Sequence, residues 1–261
     1  MARRTRAARQ PGRTGRVFTI LAAAAAAVAL LIMPAVSLGR ITGILDWRAA
    51  LRAFSYDLYA AIAAVVLGLL AFAINRLRPW GSFRLGGAAF AFLAGVGVMV
   101  PIGFNAVRAL RAAPIHDITT DTDNPPQFVA ALPERAAAHA LNSTDYDPKT
   151  ALIQHAYYRD IAPAVVPLPI DEAFRRVLDE ARLDGMRIIA EDREHGRIEA
   201  VASTFWIRFN DDVVFRLTAQ GPNATRIDMR SESRVGGGDT GTNAARVRRF
   251  LAAIERTGPA E

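Results

Sequence analysis

The 261-residue sequence has no cysteine, which excludes a mini-domain stapled by disulfides. Acids are nearly missing from its first part: residues 1–111 carry 14 arginines against only Asp46 and Asp57, a net of +12. Residues 112–261 reverse the balance, with 18 basic residues, Lys149 the only lysine among them, against 23 acids, a net of −5. A nucleic-acid reader carries its positive charge on the folded reading domain. Here the more globular part is acidic, so nucleic acid is excluded as a partner. The hydrophobic share of 51% excludes a disordered tail.

Charge is also missing from three long stretches, residues 17–39, 58–75 and 85–107, of 23, 18 and 23 residues. A helix rises about 1.5 Å per residue and the hydrocarbon of a bilayer is about 30 Å thick, so roughly 20 apolar residues cross it. The shorter middle span is extended by the amphipathic rings of Tyr56, Tyr59 and Trp80 and by Arg76, which can snorkel. On this count no ionisable group lies inside a span, which argues against a pump, a proton relay or a carrier of charged substrates. Ala91 and Gly95 stand in small-xxx-small spacing, suited to helix contact within this bundle or, alternatively, to homodimerisation.

Arginine-rich flanks resist translocation. Six arginines precede residue 17 and Arg76, Arg78 and Arg84 lie between the second and third spans, nine on one side. Arg40, Arg48, Arg52, Arg108 and Arg111 make five on the other. The amino terminus is expected in the cytoplasm and the carboxy-terminal domain in the periplasm, as a multi-pass protein of the inner membrane. The first span can also be read as a cleaved secretory signal, with Ala35-Val36-Ser37 as the peptidase site, although it is longer than the ~7–15 residues of a signal core. The final domain lies outside on either reading.

Past Pro114 the chain alternates short apolar pieces with Pro, Asp and Asn. The spacing predicts a short helix within 128–141, interrupted by Pro133, and extended chain at 163–169. Ile170, Phe174, Val177, Leu178 and Ala181 recur at helical spacing, and Gly185 marks the end of that helix. Four strands follow, near 186–193, 197–209, 212–220 and 224–235, with links short enough to force antiparallel pairing. The apolar phase changes within the second, which predicts a bulge near Ser203 or Thr204. A last helix is predicted over about 244–254. The expected fold is therefore a region of three transmembrane helices followed by an α+β domain with a four-stranded antiparallel sheet and packed helices. Residues 1–16 form a basic cytoplasmic tail, 17–111 the membrane region and 112–261 the exported domain. A domain of about 150 residues buries enough surface to fold without disulfides.

Three ordered stretches, DITTDTDNPPQF at 117–128, RIEAVASTFWIRFNDDVVFRL at 197–217 and RIDMRSESRVGGGDTGTNAARVRRFL at 226–251, resemble the bacterial and plastid family known as domain of unknown function 1499. The resemblance spans about residues 112–256. It implies a small membrane-associated or exported α+β domain, and it carries over no reaction, cofactor or catalytic residue. In the family pattern a Ser often stands beside the Asp of the last loop. Gly238 stands there here, which argues against a hydroxyl nucleophile.

The leading candidate site is the glycine-rich turn GGGDTGTN between the last strand and the last helix, taken with the arginines near it. Ligand-binding candidates are Arg230, Ser231, Ser233, Arg234, Gly236, Asp239, Gly241, Asn243 and Arg246. Helix amino termini offer free N–H groups to an anion. The loop is not a Walker loop, since it has no lysine and Asp239 would repel phosphate; the alternative is that Asp239, Thr240 or Thr242 merely caps the helix. The alternating row Arg226, Asp228, Arg230, Glu232 and Arg234 reads as a solvated strand face of cross-strand ion pairs. His116 with Asp121 and Asp123 offers too few oxygens for a hard cation, and His139, His155 and His195 have no companions, so no metal, cofactor or catalytic residue is expected. Trp206 reads as core or sheet-face aromatic.

These features point to a membrane protein that displays a non-catalytic periplasmic binding or scaffolding domain in the cell envelope. Its partners are expected to be the lipid bilayer and an envelope protein, a lipid or a small anionic ligand. The rivals are an envelope hydrolase or transferase with its site at 236–243, and a small transporter or channel subunit.

Overall fold

A computed structural model describes residues 13–76, 82–205 and 207–256, the side chains of 82 and 83 aside. The arginines before residue 13, Arg78 and Trp80 of the loop between the second and third spans, and Trp206 lie outside the described residues. The chain divides into two compact units, one of residues 1–104 with 205–208, the other of 105–204 with 209–261.

The first unit is built on α1 (Arg13–Ile41), α2 (Trp47–Arg76) and α3 (Ser82–Arg111). All three are long and apolar enough to cross a membrane. They approach through small residues: Ala22, Ala26, Ala64 and Ala91 form one buried cluster. A Cβ on Gly68 would lie 2.9 Å from the Phe92 nitrogen, and one on Gly95 2.7 Å from the Ala61 oxygen. Any larger residue at these two positions would push α2 and α3 apart. The small-residue spacing at Ala91 and Gly95 is thus used inside the bundle. One expectation is corrected. Counting from the last charge started the second span after Asp57, but helix-forming residues continue to its amino side, so α2 begins at Trp47 and Asp57 is buried within it.

The second unit contains β1 (Asp117–Thr119), α4 (Ala131–Ala137), α5 (Pro148–Tyr157), β2 (Ala164–Val166), α6 (Ile170–Leu183), β3 (Arg187–Asp192), β4 (Arg197–Ser203), β5 (Asn210–Gly221), β6 (Ala224–Ser233) and α7 (Thr242–Arg256). The antiparallel sheet has six strands, not four, in the order β1-β6-β5-β4-β3, with β2 also on β6. β1 pairs with residues 230–232 and β2 with residues 225–227, so two three-residue strands share one edge of β6. Strands this short leave no period to read. The expected bulge near Ser203 is instead the end of β4. The Thr204 N–H donates to the Phe209 carbonyl and the Phe209 N–H to Thr204 Oγ1, which closes a tip where Phe205 is 72% exposed. The register shifts fall at Ile188/Ala190 and Ala219/Gly221.

One face of the sheet carries Ile198, Ala200, Val213, Phe215, Leu217, Ile227 and Met229, packed with Phe174, Val177 and Leu178 of α6 and Val247, Phe250 and Ile254 of α7 in one core. The rings of Phe215 and Phe250 lie 4.6 Å apart. Burying each such side chain contributes about 1.5–3 kcal/mol. α6 starts with Asp171 and Glu172 in its first turn, where carboxylates favour the helix dipole. It ends at Gly185, whose φ of +75° allows the Met186 N–H to return to the Ala181 carbonyl. α4 starts ahead of Pro133, which falls in its first turn, where a missing N–H is tolerated. Its free amides are met from the sheet: the buried Glu199 carboxylate of β4 accepts from Val129, Ala130 and Ala131.

Candidate functional site

Side chains alternate along β6, so the candidates that are neighbours in sequence part company. Arg230 and Arg234 point to the face that carries Asp212, whereas Ser231 and Ser233 point to the face covered by α7.

On the first face the row 226–234 is not a solvated ladder: Asp228, Arg230, Glu232 and Arg234 are buried. Arg230 is fully enclosed, its Nε and Nη2 donating to Asp117 Oδ1 and Oδ2 at 3.0 and 2.8 Å. Two backbone carbonyls, of Pro126 and Thr144, accept two of its remaining three hydrogens. The rings of Phe128 and Tyr146 lie 5.0 and 5.5 Å from the guanidinium carbon, close enough for cation–π attraction. Arg135 of α4 bridges Asp212 at 2.7 Å and Glu232 at 2.8 Å, and Arg234 grips Asp212 at 2.6 Å and reaches Glu134 at 3.3 Å. Burial pushes the Glu232 carboxyl up to about 8; the charge of Asp117 adds to the rise while Arg135 and Arg230 oppose it. Its Oε2 has no hydrogen-bond partner. Burial, with the charge of Asp117, likewise raises the Tyr146 phenol. With Glu134 and Arg187 counted at the edge, four guanidinia, of Arg135, Arg187, Arg230 and Arg234, face the carboxyl groups of Asp117, Glu134, Asp212 and Glu232.

On the other face, at the start of α7, Arg246 donates to Asp211 Oδ2 at 2.6 Å, to Ser231 Oγ at 2.8 Å and to Asn243 Oδ1 at 2.6 Å. Ser231 Oγ donates to the same Asn243 oxygen, and Asn243 Nδ2 donates to Ser233 Oγ and to the His116 carbonyl, both at 3.0 Å. Both serine hydroxyls are engaged in this brace, which joins β6, α7 and the chain entering β1.

The turn between β6 and α7 contributes differently. Gly236, Gly237, Gly238 and Thr240 are exposed, and the Gly236 carbonyl accepts from Asn142 Nδ2. Gly241 has φ +78°, a conformation strained for any residue with a Cβ. Asp239 turns its carboxylate onto the α7 amino terminus, accepting from the N–H groups of Gly241 and Asn243. Burial raises its carboxyl, with the two backbone donors opposing the rise. Asp239→Ala is expected to destabilise the unit by about 1 kcal/mol, the typical loss of a helix cap, read as a lower urea midpoint in the detergent-solubilised full chain. A drop of more than about 3 kcal/mol would mean that Asp239 does more than cap.

Sequence reasoning missed Asp117, Arg135, Asp211, Asp212, Phe128 and Tyr146. Asp117, Phe128, Asp211 and Asp212 stand in the first two of the three ordered stretches that carry the family resemblance, and Arg230, Arg234 and Arg246 of the third neutralise the three aspartates. Asp121, weighed with His116 as a cation ligand, is held by Arg216 at 2.9 Å and Arg226 at 3.0 Å. Among the described residues no group of three or more His, Asp or Glu is placed to hold a metal ion.

The chain thus combines three helices long and apolar enough to cross a membrane with an α+β domain whose helix-backed antiparallel sheet has charged groups locked into both its faces. The profile of the family described as "Protein of unknown function (DUF1499)" matches residues 117–254, and the chain belongs to that family. No curated protein matches the chain.

Proposed function

We propose that this chain displays a binding or scaffolding domain, held by three membrane spans, on the periplasmic face of the inner membrane. The observation that supports this reading best is the inward pairing of the arginines in the charged clusters. The arginines and serines near the glycine-rich turn are spent on neighbouring carboxylates, amides and carbonyls. What such clusters provide is rigidity, and the surface they hold is the exposed turn at 236–241, where an envelope protein, a lipid or a small anionic ligand would meet the domain. The orientation rests on the arginine asymmetry, nine against five, and on an odd number of spans.

Reporter fusions after residue 261 test the placement. Alkaline phosphatase, active only outside the cytoplasm, is expected to be active there, and a fluorescent reporter that matures only inside is expected to be dark. The reverse pattern would refute a periplasmic domain.

A further inference from the structure

Asp57 is fully buried in the helical unit, and neither carboxylate oxygen has a hydrogen-bond partner. The groups that could answer its charge are far along the helices. α1 carries no charged residue from 17 to 39 and α3 none from 85 to 107, and on α2 the nearest are Arg52, which is exposed, and the phenols of Tyr56 and Tyr59, both 64% exposed.

Close contacts fix what stands level with it. Gly15 lies against Asn75, so α1 and α2 run antiparallel and about residue 33 stands opposite 57. Gly95 lies against Ala61 and Val65, which brings about residue 101 of α3 to the same level. Gly87 lies against Thr19, and that parallel offset of α1 and α3 sets about residue 102 beside 34, closing the layer. Asp57 therefore shares one layer with Pro34 and Pro101, the prolines inside α1 and α3. A proline has no N–H, so the carbonyls of Leu30 and Gly97, one turn earlier, lose their helical donors. An apolar bundle in which two prolines free backbone acceptors, and in which the described residues of the neighbouring spans place no charged side chain at this level, suits a carboxylic acid, which can donate one hydrogen bond, and disfavours a carboxylate, whose burial without a partner is prohibitively costly.

We propose that Asp57 is a proton-binding site inside the membrane bundle, occupied at neutral pH. The inference is independent of what the appended domain binds. It predicts a carboxyl reactive toward a lipid-soluble carbodiimide: the acid O–H adds across one C=N bond, its proton passing to nitrogen, and the acyl group then shifts from oxygen to nitrogen, leaving a stable N-acylurea with no atom lost.

Two measurements on the full chain in neutral-lipid vesicles test it. In infrared spectra at neutral pH, Asp57→Asn is expected to remove part of the carbonyl-stretch band of protonated carboxyls; loss of carboxylate intensity instead would overturn the proposal. The second needs no variant. N,N′-dicyclohexylcarbodiimide is expected to label Asp57 of the unaltered chain, as mapped by mass spectrometry, at a rate unchanged by sodium chloride. Absence of that adduct, or its suppression by sodium ions, would overturn proton binding, the latter in favour of a metal cation.

Discussion

Arg230→Met is expected to lower the stability of the α+β unit by about 3–5 kcal/mol, the range for removing one partner of a buried ion pair. Methionine keeps much of the packing against Phe128 and Tyr146, but Asp117 then loses both charge-assisted bonds in a place water does not reach. The Pro126 and Thr144 carbonyls lose their donor as well. Urea dependence of hydrogen-exchange protection across β6 in the solubilised full chain measures the loss locally. Pairing the change with Asp117→Leu should recover part of it, because the stranded charge is then gone. A loss below about 1 kcal/mol is what an exposed ion pair would give, and would contradict the enclosed arrangement.

Glu232→Gln should change how stability responds to pH. The folded carboxyl titrates at about 8 and an unfolded glutamate at about 4.3, so between these values the folded state binds the extra proton. Stability contributed by this proton is fully present below the unfolded value and is lost as pH rises to about 8, after which the decline stops. The total is on the order of a few kcal/mol, about 1.4 kcal/mol for each pH unit crossed. Glutamine keeps an acceptor for Arg135 without the titration, so the variant should show a flatter profile through this window and exceed the parent above about pH 8. Urea midpoints of parent and variant at several pH values test this, and equal slopes would mean that Glu232 is ionised throughout.

The two predictions concern residues whose setting the sequence reveals only in part. Alternation along 226–234 correctly assigns Arg230, Glu232 and Arg234 to one face of a strand, because the pleat is local. Whether that face is wet depends on what covers it. Arg230 meets Asp117 across 113 positions of chain, and Arg135 meets Glu232 across 97. No period links residues that far apart, and a buried ion network has the same local signature as a solvated one. The same reasoning explains the phase change in 197–209. Phe205, Ile207 and Phe209 read as a continuing strand, although Thr204 and Phe209 close the tip before they can pair.

Where the forces are local, sequence was sufficient. Three charge-free stretches become three long helices, since an apolar run must satisfy its own backbone. The stripe beginning at Ile170 becomes α6, and the last helix and the four-strand meander stand close to where the periodicity puts them. The tertiary structure alone decided the remainder: the short edge strands β1 and β2, the cover over the charged face, the separation of Arg230 from Ser231, and the enclosure of Asp57. Each of these depends on which distant surfaces meet. Desolvation and pairing are properties of such a meeting, so a carboxylate at the edge of an apolar run can be a surface group or a buried acid until the neighbouring helices close around it.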